Sequence, residues 1–306
     1  MTVDNEKLEA PSDKSQALLD SKRINKFRSL MKLIDDDDPQ VSAAVEKELL
    51  DGGEEMIRLL EIEMECAETS VKKRIEDLIS KIYIDKLQRD YDLLLDFVSQ
   101  RDFSLERALF LLAKPLYPDV DFAAVESKLN ELANGLHRKI SDIEIPYDII
   151  QHVNDFFLND MGFVGNSKDY YNPDNSMLHR VLETRRGIPI SLGIVYILVG
   201  RRLNLPVFGV GAPAHFLVKF VPTSSGKEFF VDVFNGGRIM SRKEAEDFIN
   251  GMGFSFEPRF LKDSSDLEML SRTCRNMARA FTAADEPKKA NVLMELSIEL
   301  ERLVSL

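Results

Sequence analysis

Apolar residues recur every three or four positions over most of the chain, which is the period of helices that bury one face. Between residues 21 and 100 this pattern predicts a helical region. Asp38 followed by Pro39 predicts a helix start, with the aspartate as the cap and the proline in the first turn. Gly52 and Gly53 predict the end of that helix.

The same period predicts further helices at about 86–98, 104–112, 121–136, 146–158, 189–202, 266–283 and 287–304. The hairpin around Asp38 is similar to one HEAT-type unit, and the last two helices are similar to one tetratricopeptide-type hairpin. The polar N-terminal stretch is typical of a disordered tail. We therefore expect four segments: a disordered tail at 1–20, a HEAT-like helical region at 21–100, a core at 101–258 and a tetratricopeptide-like helical pair at 259–306.

After Pro206 the apolar period changes to two, which is typical of strands with one buried face. Strands are predicted at 207–210, 215–220 and 228–234. Ser241 and Glu244 then form a capping box that opens a helix ending at Gly251. The fold class expected from these patterns is α+β and mostly helical.

Composition limits the classes of function. The chain has 306 residues, 44% of them hydrophobic, and a net charge of −12 with a pI near 5.0. An acidic chain repels nucleic acid and anionic membranes, so we expect neither as a partner. The longest apolar run, 188–200, is shorter than the roughly 20 residues needed to span a bilayer. The N-terminus has no apolar signal region, and Cys66 and Cys274 are expected to be reduced thiols, so we expect a cytoplasmic protein.

No segment predicts a cofactor or a metal site. The run Asp35–Asp38 lacks the alternate spacing of a calcium loop, and we expect a solvated turn and helix cap there. The segment 209–214 imitates a dinucleotide-binding loop but runs into a strand instead of a helix. The segment 189–193 approaches a Gly-x-Ser-x-Gly nucleophile elbow, but it starts with proline and follows no strand.

The segment 186–196, followed by His215 and Asp232, has the layout of a papain-type catalytic triad. Almost every residue of the helix expected at 189–202 is apolar, so we expect this helix to be buried on all sides. Such a triad needs a thiol at the head of the helix, where the helix dipole lowers the thiol pKa. Ser191 is the only nucleophile there, and a serine needs a neighbouring base.

The strand pattern predicts that His215 lies beside Asp232. If Phe220 pairs with Lys227 across a turn, His215 faces Asp232 in the same antiparallel register. A shift of one residue would place His215 opposite an apolar residue, whereas a shift of two stays open. An aspartate next to a histidine fixes the tautomer and raises the basicity of the ring, as in a triad. The alternative is a buried pair that only satisfies its own hydrogen bonds.

Three collinear blocks lie between about Leu105 and Met240: GFVGNSKDYYNPDNSMLHRVLETRRGIPISLGIVYILVGRRLNLPV, GAPAHFLVKF and FVDVFNGGRIMS. On these blocks the chain resembles the SirB-type bacterial family, which has a transglutaminase-like core often joined to tetratricopeptide-like helices. The resemblance implies a papain-like fold with a central helix on an antiparallel sheet. It also implies a Cys, His and Asp triad, in which His215 and Asp232 match the last two. The cysteine is expected near Pro189 or Ser191, and neither is cysteine.

Two functions of different classes follow from these residues. Because the thiol is missing, we favour a non-catalytic transglutaminase-like protein that acts as a protein-binding or regulatory module, with a protein partner. The alternative is a hydrolase or acyltransferase acting on amide or ester bonds. In that case Ser191 is the nucleophile, His215 is the base and Asp232 orients the base. A third hypothesis is that the N-terminal helices alone carry the function.

Overall fold

The computed structural model describes residues 13–100, 102–222 and 226–305, without the side chains of residues 13–21 and 54. The chain divides into two units, residues 1–86 and 87–306. The predicted disordered tail lies largely outside the described residues, and its last part belongs to the first helix. The predicted division into four segments stays a prediction.

The first unit is helical. It contains α1 (Asp13–Met31), α2 (Pro39–Asp51), α3 (Gly53–Cys66) and the first part of α4 (Thr69–Val98). Asp38 caps α2 as predicted, because its carboxylate accepts a hydrogen bond of 2.8 Å from the amide of Gln40. Leu49, Leu60 and Ile75 form the centre of a buried apolar cluster in this unit.

Within its described residues, the second unit combines the end of α4 and eight further helices with two small sheets. Its helices are α5 (Leu105–Ala113), α6 (Phe122–Ile140), α7 (Pro146–Asp155), α8 (Leu178–Thr184), α9 (Pro189–Arg202), α10 (Arg242–Gly251), α11 (Asp266–Ala283) and α12 (Pro287–Val304). A π-helical turn (Phe156–Asp160) extends α7, and 3₁₀ turns lie at Pro173–Ser176 and Pro258–Leu261. The mostly helical α+β class predicted from the sequence is confirmed.

The strands form two sheets. They are β1 (Val164–Gly165), β2 (Arg186–Gly187), β3 (Val207–Val210), β4 (Leu217–Phe220), β5 (Phe229–Asp232), β6 (Arg238–Ser241) and β7 (Asp263–Ser264). The short strands β1 and β2 pair in parallel, and the other five form an antiparallel sheet in the order β6-β5-β4-β3-β7. The sequence pattern indicated β3, β4 and β5, and it missed the short edge strands β6 and β7.

Helix α9 is the centre of the second unit. Every residue from Pro189 to Gly200 is buried, which confirms the predicted all-round burial. The helix packs closely against β3 and β4. A Cβ atom on Gly193 would lie 2.7 Å from the ring of Phe216, and one on Gly200 would lie 2.5 Å from Val207. These two glycines therefore let the helix backbone approach the sheet.

The predicted register between β4 and β5 is wrong by two residues. Phe220 pairs with Phe229, not with Lys227, and Val218 pairs with Val231. The observed register places two aromatic residues opposite each other and leaves the exposed Lys227 in the connecting segment. A shift of two keeps every side chain on its predicted face, because side chains alternate with a period of two.

The last two helices form a closely packed hairpin, and α11 has the predicted bounds. Helix α11 also contacts α9 and the 3₁₀ turn at Pro173–Ser176. One face of α11 therefore lies near the first turn of α9. The similarity of this hairpin to a tetratricopeptide unit stays a prediction.

Candidate functional site

His215 and Asp232 are hydrogen-bonded, although the strands meet in another register than predicted. His215 Nε2 lies 2.9 Å from Asp232 Oδ1, and the two residues are only 8% and 1% exposed. His215 precedes β4, in a turn in which its amide donates to the carbonyl of Ala212 and Ala214 has a left-handed φ of 54°. The two residues meet through this turn at the end of the sheet, and not as facing positions of the ladder.

Asp232 accepts hydrogen bonds from two residues. In addition to His215, Asn235 donates from its backbone amide at 3.1 Å and from its side-chain amide at 2.7 Å. Burial alone would raise the pKa of Asp232, but the hydrogen bond and the charge of His215, together with Asn235, outweigh burial and lower the pKa. The carboxylate thus accepts the Nε2 proton of His215. Among the described residues, Nδ1 of His215 has no hydrogen-bond partner.

The hydroxyl of Ser191 is bonded to the main chain. It donates to the carbonyl of Asn175 at 2.5 Å and accepts from the amide of Ile188 at 3.0 Å. Ser191 is only 4% exposed, and a Cβ atom on Gly187 would lie 2.6 Å from its oxygen. Ser191 therefore serves as an internal cap that ties the first turn of α9 to the 3₁₀ turn before α8.

Pro189 and Ile190, and not Ser191, line the same cavity as His215. This is the place where the resemblance predicted a cysteine. Both cysteines of the chain are free thiols that lie elsewhere, Cys66 exposed at the end of α3 and Cys274 buried within α11. Burial raises the pKa of the Cys274 thiol, so this residue stays protonated at neutral pH.

The cavity beside His215 has a volume of about 420 Å³. It is lined by the first turn of α9, by the turn that carries His215, by Tyr170 and by one face of α11. That face contributes Arg272, Arg275, Asn276 and Arg279. The cavity is thus apolar at the head of α9 and positively charged on the side of α11.

The three arginines of this cavity were not among the site residues predicted from the sequence. Arg272, Arg275 and Arg279 have the spacing i, i+3 and i+7, which places them on one helix face. This spacing is visible in the sequence, but its meaning depends on the fold. Arg272 donates to the carbonyls of Ala212 at 2.9 Å and His215 at 2.6 Å, so it links α11 to the histidine turn.

The described residues contain no cluster of three or more His, Cys, Asp or Glu side chains with the geometry of a metal site. Asp35–Asp38, the run of acidic residues, forms a turn and the cap of α2. No helix in the described part of the chain combines the length and apolar character that crossing a membrane requires.

The fold and the site together define a class: an α+β core in which a buried helix lies on an antiparallel sheet beside a histidine–aspartate pair. A family model described as Transglutaminase-like superfamily matches residues 123–275, which is half of the chain. The chain belongs to this superfamily. The matched region contains α9, the whole antiparallel sheet and the first part of α11, including Arg272 and Arg275.

Similar proteins occur in bacteria and in animals. A UPF0162 protein of Xylella fastidiosa is 34% identical over 150 residues, which are 49% of this chain and 53% of the relative, so the chain spans about half of that relative's length. A UPF0162 protein of Pseudomonas aeruginosa is 27% identical over 67% of this chain and 75% of its own. F-box only protein 21 of Mus musculus is 32% identical over 44% of this chain and 21% of its own. No solved structure matches the chain.

Proposed function

We propose that the transglutaminase-like core is a non-catalytic module that binds a partner and regulates it. The observation that carries this proposal is the head of α9. Pro189 and Ile190 line the cavity there, and neither side chain can attack a carbonyl carbon. His215 and Asp232 could serve as the histidine and aspartate of a triad, but the head of α9 places no nucleophilic side chain in the lining of this cavity.

The hydrogen bonds of Ser191 support the proposal. A serine nucleophile must pass its proton to a base within hydrogen-bond reach. The hydroxyl of Ser191 instead donates to the carbonyl of Asn175 and accepts from the amide of Ile188. Both contacts would have to break before Ser191 could turn towards His215.

The share of each relative that is similar to this chain is consistent with a module. A segment of 150 residues similar to part of this chain makes up 53% of a bacterial UPF0162 protein, and one of 139 residues makes up 21% of a protein named F-box only protein 21. A segment that occurs in chains of such different length is suited to recognition. We extend the proposal to a protein partner and to the cytoplasm, where the two free cysteines would stay reduced.

The alternative function is hydrolysis or acyl transfer at an amide or ester bond by Ser191, His215 and Asp232. The bond of 2.9 Å between His215 and Asp232 favours it, because this contact orients and strengthens a general base. The alternative requires a rotated Ser191 side chain. It also requires that the carbonyl of Asn175 lose its donor.

The test is an activity assay on the purified full chain. Amine incorporation into a glutamine-containing protein and hydrolysis of p-nitrophenyl esters are measured for the wild type, His215→Ala and Ser191→Ala. The proposal predicts equal rates for all three proteins. A wild-type rate that falls in both variants would establish the serine triad. A rate that falls only in His215→Ala would also refute the proposal, since it requires another nucleophile.

A further inference from the structure

The cavity beside His215 has a positively charged lining, although the protein as a whole is acidic. The chain has a net charge of −12, yet the residues described around this cavity include three arginines and no aspartate or glutamate. Positive charge concentrated in a concave site raises the local concentration of anions. The cavity therefore differs from the rest of the molecule in the charge of the ligand that it favours.

Two of the three guanidinium groups have no carboxylate partner among the described residues. Arg275 is paired with Glu301 on α12. Arg272 donates only to the carbonyls of Ala212 and His215, which are neutral acceptors that fix its direction. Arg279 is exposed and makes no ion pair within the described chain. The site thus holds two positive charges that no protein anion neutralises.

The electrostatics of Arg272 show that these charges are crowded. Burial lowers the pKa of Arg272 to about 10, and the positive charges of Arg275 and Arg279 act in the same direction. The pKa of Arg275 is lowered as well, first by burial and then by Arg279. An anion between these groups would replace repulsion by attraction.

The first turn of α9 adds to the same field. Backbone amides at the start of a helix lack partners within the helix and carry a partial positive charge. Ile188 and Ile190, which frame this turn, line the cavity together with the arginines. Anions are commonly held where such a turn and arginine side chains meet.

The dimensions and the remaining walls indicate a small ligand. A volume of about 420 Å³ lies within the range of roughly 300–1,000 Å³ that is typical of small-molecule sites. Ile190, Phe216 and Tyr170 provide apolar and aromatic surface next to the charged face. The ligand therefore combines a compact anionic group with a short body of mixed polarity.

We propose that the cavity binds a small phosphate monoester, with its phosphate held by Arg272 and Arg279 near the first turn of α9. A phosphate dianion matches two unpaired guanidinium groups, which bind phosphate oxygens through paired hydrogen bonds. A single carboxylate would neutralise only one of them. This inference rests on the proposed non-catalytic role, because a cavity beside His215 that performs no acyl transfer is open to a ligand that is not a substrate.

The test is isothermal titration calorimetry of the full chain with glycerol 3-phosphate, inorganic phosphate, glycerate and glycerol. We expect glycerol 3-phosphate to bind most tightly, inorganic phosphate more weakly and glycerol not at all. Arg279→Ala should weaken binding by about tenfold or more, as expected when a charge-assisted contact is lost. Arg302→Ala, which removes an exposed arginine of α12 that is paired with Glu299, is the control with the same change of net charge and should bind like the wild type.

Other outcomes would overturn the inference. If glycerate binds more tightly than glycerol 3-phosphate, the site selects carboxylates and the phosphate assignment is wrong. Equal weakening by Arg279→Ala and Arg302→Ala would mean unspecific charge attraction. No binding of either phosphate compound at millimolar concentration would reject the ligand class and leave the non-catalytic role standing, whereas turnover lost in His215→Ala would reject that role itself.

Discussion

Ser191 and His215 are both buried polar residues near the start of α9, yet their surroundings differ. Ser191 bonds to the backbone of Asn175 and Ile188, and it lies behind the residues that line the cavity. His215 is held on one side by Asp232 and lines the cavity with its other side. The partners of Ser191 are main-chain atoms, so its hydroxyl stabilises the fold. His215 is oriented by Asp232 and still has Nδ1 free among the described residues, so it is available to a ligand.

The largest effect is expected at Asp232, because its carboxylate orients the ring of His215. Asp232→Ala removes the buried acceptor of His215 Nε2 and of two donors of Asn235. We expect the free energy of unfolding to fall by about 3 kcal/mol, measured by urea denaturation. A loss below about 1 kcal/mol would mean that these groups find other partners and that the pair does not fix His215.

The second effect concerns the contact between Gly193 of α9 and Phe216, the residue after His215. Alanine normally stabilises a helix relative to glycine by about 1 kcal/mol. A methyl group on Gly193 would instead lie 2.7 Å from Phe216, so Gly193→Ala should lower the free energy of unfolding by about 1–3 kcal/mol.

Gly251, in the last turn of α10, is the matched control for Gly193. Outside its own stretch of helix, no atom lies within 4 Å of a Cβ built on it, so Gly251→Ala should be neutral or stabilising when both variants are measured by urea denaturation. If both variants gain stability, α9 does not lie as close to the sheet as described.

The third effect is expected at Ser191, whose hydroxyl bonds to the backbone of Ile188 and Asn175 and so stabilises the fold. Ser191→Ala should lower the free energy of unfolding by about 1–2 kcal/mol, because it leaves the amide of Ile188 without its acceptor. Ser297→Ala is the control, since Ser297 is a buried serine of α12 whose hydroxyl donates to the carbonyl of Met294 but is not bonded to a backbone amide. We expect a smaller loss there, and unchanged ligand affinity in both variants.

The smallest effect is a pH dependence. The pKa of Asp232 is below its usual value of 3.8 in the folded chain, so its ionised form stabilises the fold at every pH above that value. The difference in unfolding free energy between the wild type and Asp232→Asn should shrink as the pH falls below 3.8. A difference that grows on acidification would contradict the lowered pKa.

Patterns among residues a few positions apart were sufficient to predict the helices. The cap at Asp38, the capping box at Ser241 and the apolar run of α9 each involve residues within a few positions, and all three were predicted. The meeting of His215 with Asp232 was also expected, but for a register that is wrong by two. It occurs because the turn before β4 brings the histidine to the end of β5, which strand alternation does not encode.

The parts of the site that were missed depend on long-range contacts. The bond of Ser191 to Asn175 joins residues 16 positions apart, and that of Arg272 to His215 joins residues 57 positions apart. The spacing of Arg272, Arg275 and Arg279 indicated one charged helix face. Only the packing of α11 near α9 turns that face into the wall of a cavity.

The central claim is that the cavity beside His215 binds an anion and that its residues perform no acyl transfer. The chain has four histidines, so the ring signals of His215 can be followed by NMR in protein labelled with ¹⁵N-histidine. We predict that glycerol 3-phosphate shifts the His215 signals selectively, and that Arg279→Ala requires about tenfold more ligand, or more, for the same shift. Unchanged His215 signals, or the same shift at the same ligand concentration in Arg279→Ala, would contradict the account.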